Sequence, residues 1–204
     1  MRMFKTKMSA KWQWGIRILN LGLLALIDLF QRLSVRFGTV QPARTVTSLL
    51  WFTLIALVTI SLPVIIPSSL RARLAESVQT ELPFDLNVVL FLYSLIFLIW
   101  PTALLTTRQP HQVGVVVMIF LSIIAAILPY VPRNHLVGIR IPWTYNSPVI
   151  WHKVNVLGGQ VMLVVSLLSL LALGINQSWF IAILTIGTVV LVGTTIWYAY
   201  ELAK

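Results

Sequence analysis

VPRNHLVGIRIPWTYNSPVIWHKVNVLGGQ, residues 131–160, decides how the chain is read. It is the longest polar interruption in a hydrophobic C-terminal half. It carries Arg133, His135, Arg140, His152 and Lys153 and no acidic residue. Pro132, Pro142 and Pro148 argue against one long regular helix through its middle, because proline lacks the N–H a helix interior needs. Trp143, Tyr145 and Trp151 add aromatic surface. A basic, aromatic, turn-rich segment between two apolar runs is where function is expected, with most of the other residues holding it at a membrane.

Composition sets the class. The chain is 204 residues long, 58% hydrophobic and 10% charged, with a mean hydropathy of +0.92. Soluble domains carry about 25% charged residues. Several uncharged apolar runs reach about 17 residues or more, the length a helix needs to cross hydrocarbon. Such runs are too long for barrel strands, and a bilayer forces the backbone to bond within itself. The expected fold is therefore all-α, a polytopic transmembrane helical bundle of about six spans. The net charge of +10 fits cytoplasmic positive loops and anionic lipid headgroups. No Gly-rich phosphate loop or RNA-binding signature accompanies it, so direct nucleic-acid binding is not expected. With no cysteine, disulfides, thiolate metal sites and Cys nucleophiles are excluded. No metal or cofactor is expected.

Four segments follow from the order of the runs. Residues 1–13 form a basic N-terminus, expected to be retained because no small-x-small cleavage site follows the first apolar run. Residues 14–129 form a four-span half. Its first run, Trp14–Leu33, contains Arg17 and Asp28, each costing about 2.5–3.5 kcal/mol at a helix centre. It reads either as a span or as an amphipathic surface helix. Val46–Ile66, Leu86–Leu105 (with a kink expected at Pro101) and Val113–Pro129 complete this half. Ser68–Asp85 reads as a polar loop with one short interfacial helix, and Thr106–Gln112 as a tight turn. Residues 130–155 form the signature loop. Residues 156–200 form a helical hairpin, Val156–Gly174 and Trp179–Tyr200, joined by Ile175–Ser178.

Charge counting gives the orientation. Six spans with the N-terminus in the cytoplasm put 11 of the Lys and Arg residues inside and four, Arg32, Arg36, Arg44 and Arg108, outside. Five spans give nine inside and six outside. The stronger bias favours six spans, with both termini and the basic loop cytoplasmic.

Within the loop, Gly138 permits a tight or left-handed turn and Pro142 stiffens the chain after it. Trp143 and Trp151 suit the headgroup layer. Arg140 stands between Gly138 and Pro142, and its fork suits a phosphate or carboxylate. The plain alternative is interfacial anchoring by rings and cations. Gly158 and Gly159 read as close helix packing, and Gly174, Gly187 and Gly193 are read the same way.

Asn134, Gly138-Ile139-Arg140, Pro142-Trp143-Thr144, Trp151 and Gly159 resemble, in residue and spacing, the signature of the SdpI family, membrane proteins that confer immunity to secreted bacterial toxins. The likeness covers roughly residues 129–174. It extends more weakly to Leu62-Pro63, Pro67, Arg71 and Arg73. It implies six spans in a bacterial cell membrane, a cytoplasmic signature loop, a secreted peptide toxin as partner and, for some members, a cytoplasmic regulator. Asn155 stands where the family usually has a His, four residues after the signature Trp. Val35–Arg44 keeps little of the family's first outer loop.

Four function classes compete. An immunity protein would use Arg140, Trp143 and Trp151 as the loop's working residues. A small-molecule or ion transporter needs polar or ionisable groups inside spans, and the five later runs carry no ionisable residue. An enzyme is not expected: no carboxylate pair, HExxH or GxSxG is present. His135, His152 and Asn155 are the groups able to serve as acid, base or ligand, but a lone His beside a membrane reads as a hydrogen-bonded surface residue. A membrane signalling protein that sequesters a cytoplasmic regulator is the remaining alternative.

Overall fold

The computed structural model describes residues 10–36, 76–99 and 109–204 other than His135. The basic N-terminus up to residue 9, the run Val46–Ile66, the Pro67–Arg73 segment, Pro101, the turn residues 106–108 and His135 lie outside them. Most of the described residues are helical, and none of them lies in a strand. The helices are α1 (Ala10–Arg36), α2 (Glu76–Ile99), α3 (Gln109–Ile127), α4 (Pro142–Asn146), α5 (Pro148–Ile175) and α6 (Gln177–Ala203), and a 3-10 turn, Leu128–Tyr130, follows α3. The all-α bundle class is thereby shown. Among the described residues four stretches are long and apolar enough to cross a membrane: Glu81–Ile99, Val113–Tyr130, Pro148–Ile175 and Gln177–Ala203. α1 is not one of them.

The chain divides into two compact units, residues 7–116 and, with residues 1–6, residues 117–204. In the first, α1 buries Leu23, Leu24 and Ile27, and α2 buries Leu86, Leu90, Tyr93 and Phe97. The i, i+3, i+4 and i+7 spacing of these positions gives each helix an apolar stripe. A polar bridge sits beside them. Asn20 Nδ2 donates to the Asn87 carbonyl (2.9 Å) and to Asn87 Oδ1 (3.1 Å). Asn87 Nδ2 donates to the Pro83 carbonyl at 2.7 Å. In apolar surroundings such amides tie helices together.

α2 also corrects the reading of Ser68–Asp85 as a loop. The helix is already running at Glu76, so Glu81 and Asp85 lie within it, and Asp85 is 2% exposed. Pro83 is tolerated inside the helix because neighbouring groups re-satisfy the freed backbone in membrane helices.

In the second unit α5 and α6 form a hairpin whose only joining residue is Asn176. Its extended backbone (φ −167°, ψ 166°) serves both ends. Its N–H donates to the Ala172 carbonyl at 3.0 Å, and its Oδ1 accepts from the Trp179 N–H at 2.9 Å. The expected four-residue connection is thus mostly helix. Gly187 packs on Val165 so closely that a Cβ there would overlap it. Gly159 brings α5 against α3, where a Cβ would lie 2.6 Å from the Ala125 carbonyl oxygen. Ser122 and Ser166 bond across the same crossing at 2.6 Å. Gly193 departs from the packing expectation: among the described residues nothing stands within 4 Å of its Cβ position. Of α6 only Gly187, Thr195 and Ala199 are buried, so most of an apolar helix faces outward, as lipid contact requires.

Candidate functional site

The signature loop is closed by side chains bonding to its own backbone. Asn134 opens it: Oδ1 accepts from the N–H groups of Leu136 (2.6 Å) and Val137 (2.8 Å), and Nδ2 donates to the Pro132 carbonyl at 2.7 Å. This is the asparagine turn in which a short amide imitates backbone. Gly138 follows with φ +129°, a conformation that L side chains rarely adopt. A Cβ there would also strike the Trp151 ring, 2.6 Å from Cη2, and lie 3.2 Å from Asn155 Oδ1. Both the expected turn and the need for glycine are therefore seen.

Thr144 closes the next few residues. Its buried hydroxyl accepts from the Ile141 N–H at 3.1 Å and lies 2.9 Å from the carbonyls of both Ile139 and Ile141. Pro142 takes the first position of α4, where its missing N–H costs nothing. Arg133 Nη1 donates to the Tyr145 carbonyl at 2.9 Å. Trp143 packs edge-on against Tyr200 at 5.7 Å, which fixes α4 to the end of α6.

The other wall is the start of α5. Ser147 caps it, its hydroxyl 3.4 Å from the Ile150 N–H, and Pro148 is its first residue. The helix therefore begins at Pro148 rather than at Val156, and Trp151, His152, Lys153 and Asn155 are helical. Trp151, Asn155 and Gly158, at i, i+4 and i+7, share one face, and the loop lies across it. Trp151 is 2% exposed; its Nε1–H donates to the Val131 carbonyl at 3.0 Å, and its ring meets Tyr145 edge-on at 6.4 Å. Asn155, fully buried, accepts the Ile139 N–H at 2.9 Å and donates to the Trp151 carbonyl at 2.8 Å. Gly158 leaves room for the Ile139 side chain, which a Cβ would overlap.

Of the residues singled out from sequence, Asn155 and Thr144 both bond the Ile139 backbone and Asn155 also bonds Trp151; Gly138 packs on Trp151 and Asn155, and Asn134 bonds the backbone of the preceding turn. Gly159 lies deeper, at the α3–α5 crossing. Pro142 and Arg140 are exposed, and the Arg140 guanidinium makes no hydrogen bond or ion pair to a described residue. Trp151 was expected at the headgroups as a working residue; its burial instead makes it the post around which the loop is wound. His152 and Lys153 are half-buried beside it. Val131, Ile139 and Tyr200 are partners in these contacts that the sequence did not single out. The signal that could have found the α5 wall was Ser147-Pro148, a cap followed by a first-position proline.

This geometry presents an internally bonded loop with a guanidinium that no described residue engages. Residues 130–198 match the model of the SdpI/YfhL protein family. This part of the chain is SdpI-family sequence. The matched segment takes in the loop, α4, α5 and most of α6. No curated protein and no solved structure matches the chain. The SdpI-family segment thus coincides with the part of the molecule in which the loop and its supporting helices are assembled.

Proposed function

We propose that this chain is an integral membrane immunity protein that protects a bacterial cell from a secreted peptide toxin. The family match over residues 130–198 supports the reading, together with one observation: the bonded loop leaves Arg140 outward and unengaged by any described residue. In this reading the protein lies in the cell membrane with both termini and the loop cytoplasmic. It either binds the toxin or shields the toxin's target, and the loop is also the surface a cytoplasmic regulator would meet. No catalysis is part of it.

The test is survival of a sensitive strain expressing the chain and challenged with secreted peptides, beside Arg140→Ala. Because Arg140 bonds nothing described, the variant is expected to remain in the membrane at the native level and to lose protection. Full protection by the variant overturns the role given to Arg140. Absence of protection by the native chain against every peptide overturns the immunity reading.

One observation favours a second reading, transport. Asp85 and Asn87 are buried in α2, a helix able to span, whereas the spans were expected to carry no ionisable group. Asn87 is engaged by Asn20 and Pro83, which suits helix association. Ion-dependent flux in vesicles that Asp85→Asn abolishes would establish transport in place of immunity.

A further inference from the structure

Two features of the loop are left over from its internal bonding. The first is an apolar tip. Leu136 is 87% exposed and Val137 45%, yet the Asn134 amide bonds both of their N–H groups, so the tip is held in shape. The second is uncompensated positive charge. Arg140 is exposed and unengaged by described residues. Arg133 is exposed and spends one nitrogen on the Tyr145 carbonyl. No Asp or Glu occurs between Asp85 and Glu201, so no acid of the segment meets these cations.

The α5–α6 hairpin gives the level of this surface in a bilayer. Trp179 and Trp197 are 57% and 63% exposed on α6. Their separation of 18 residues corresponds to about 27 Å of helix, close to the hydrocarbon thickness of about 30 Å. Exposed tryptophans so spaced mark the two interfaces. Asn155 and Trp197 are equally far in sequence from the hairpin residue Asn176, so in an antiparallel pair they share a level. Trp151 and the Gly138 turn pressed on it then lie about one helical turn further out, roughly 6 Å, within the headgroup layer. The Trp143–Tyr200 contact holds α4 at the same level.

We propose that this loop docks on the surrounding anionic lipid: Leu136 and Val137 enter the interfacial layer, and Arg140 and Arg133 take lipid phosphates. Guanidinium forks match phosphate oxygens two at a time, and cations close to an anionic leaflet are drawn to it. An apolar tip flanked by cations, at headgroup height and without an acid, is complementary to such a leaflet. An acidic soluble protein would be met by the charge but not by the apolar tip at that depth.

The native chain has no cysteine, so Leu136→Cys supplies a sole thiol for an environment-sensitive fluorophore. The full chain would be placed in nanodiscs of phosphatidylcholine alone or mixed with phosphatidylglycerol. Quenching would be read from lipids carrying a shallow nitroxide and from aqueous acrylamide. The expected result is a blue-shifted label quenched by the nitroxide lipid, more so with phosphatidylglycerol. That gain should be lost in a second variant that adds Arg140→Gln, a change that touches no internal bond. A label open to acrylamide in both compositions overturns the proposal and points to a soluble partner. Nitroxide quenching indifferent to phosphatidylglycerol and to Arg140→Gln overturns it as well, leaving an apolar anchor only. No toxin enters the experiment, so the docking stands or falls apart from the immunity reading.

Discussion

Asn155 uses both halves of its amide, and that decides what can replace it. Its oxygen takes the Ile139 N–H and its nitrogen gives to Trp151 at a fully buried position. Asn155→Ala leaves the Ile139 donor buried and unbonded, at a cost of about 1–3 kcal/mol. Gly138→Ala should be worse, because it adds backbone strain to overlap with the Trp151 ring. Thermal unfolding followed through tryptophan fluorescence should rank native above Asn155→Ala above Gly138→Ala; a Gly138→Ala protein as stable as native would contradict the packing. Asn155→His is more telling. A neutral imidazole can accept the Ile139 N–H, whereas an imidazolium has no acceptor. A melting temperature of Asn155→His above that of Asn155→Ala checks that an acceptor for the Ile139 N–H is what the position needs. Gly138 was legible in the sequence because few residues tolerate its turn. Asn155 was legible only as a departure from a family habit, since its bonds depend on a helix placed across from a loop.

At the scale of elements, the α3–α5 crossing shows why hydropathy marks a span better than it marks a helix. The apolar run starts at Val156, but the helix starts at Pro148, and the turns between carry the Trp151 and Asn155 wall of the loop. α2 repeats the lesson: its polar first turns were read as loop because charge was taken to end the helix rather than the hydrocarbon. Glycine packing was legible at Gly159 and Gly187 and not at Gly193, since a glycine on a helix does not declare which face it is on. The contrast is testable. Gly159→Val presses a side chain into the Ala125 carbonyl, with overpacking worth about 1–3 kcal/mol. Gly193→Val meets no described residue and should stay within about 0.5 kcal/mol of native. Unfolding in detergent should show a lowered melting temperature for the first and little change for the second. Equal destabilisation by both would mean that Gly193 packs on something beyond the described residues.

For the whole molecule, composition was enough to give the class, because a chain so apolar and so poor in charge has few ways to fold outside a bilayer. The number of spans was not legible in the same way. Arg17 and Asp28 leave α1 balanced between crossing and lying on the surface, and Val46–Ile66 falls outside the described residues. Orientation can be settled without that count. The α5–α6 hairpin puts the loop and Lys204 at one end and Asn176 at the other, and the excess of Lys and Arg predicts a cytoplasmic loop end. Single cysteines in this cysteine-free chain report it directly. Asn146→Cys and Lys204→Cys sit on exposed positions at the loop end, and Ser178→Cys on an exposed position at the turn. In intact cells an impermeant maleimide should label Ser178→Cys alone. The other two should react only after the membrane is opened. Labelling of Asn146→Cys and Lys204→Cys from outside would invert the topology. The loop would then face the medium, where a secreted peptide could reach Arg140 directly and a cytoplasmic regulator could not.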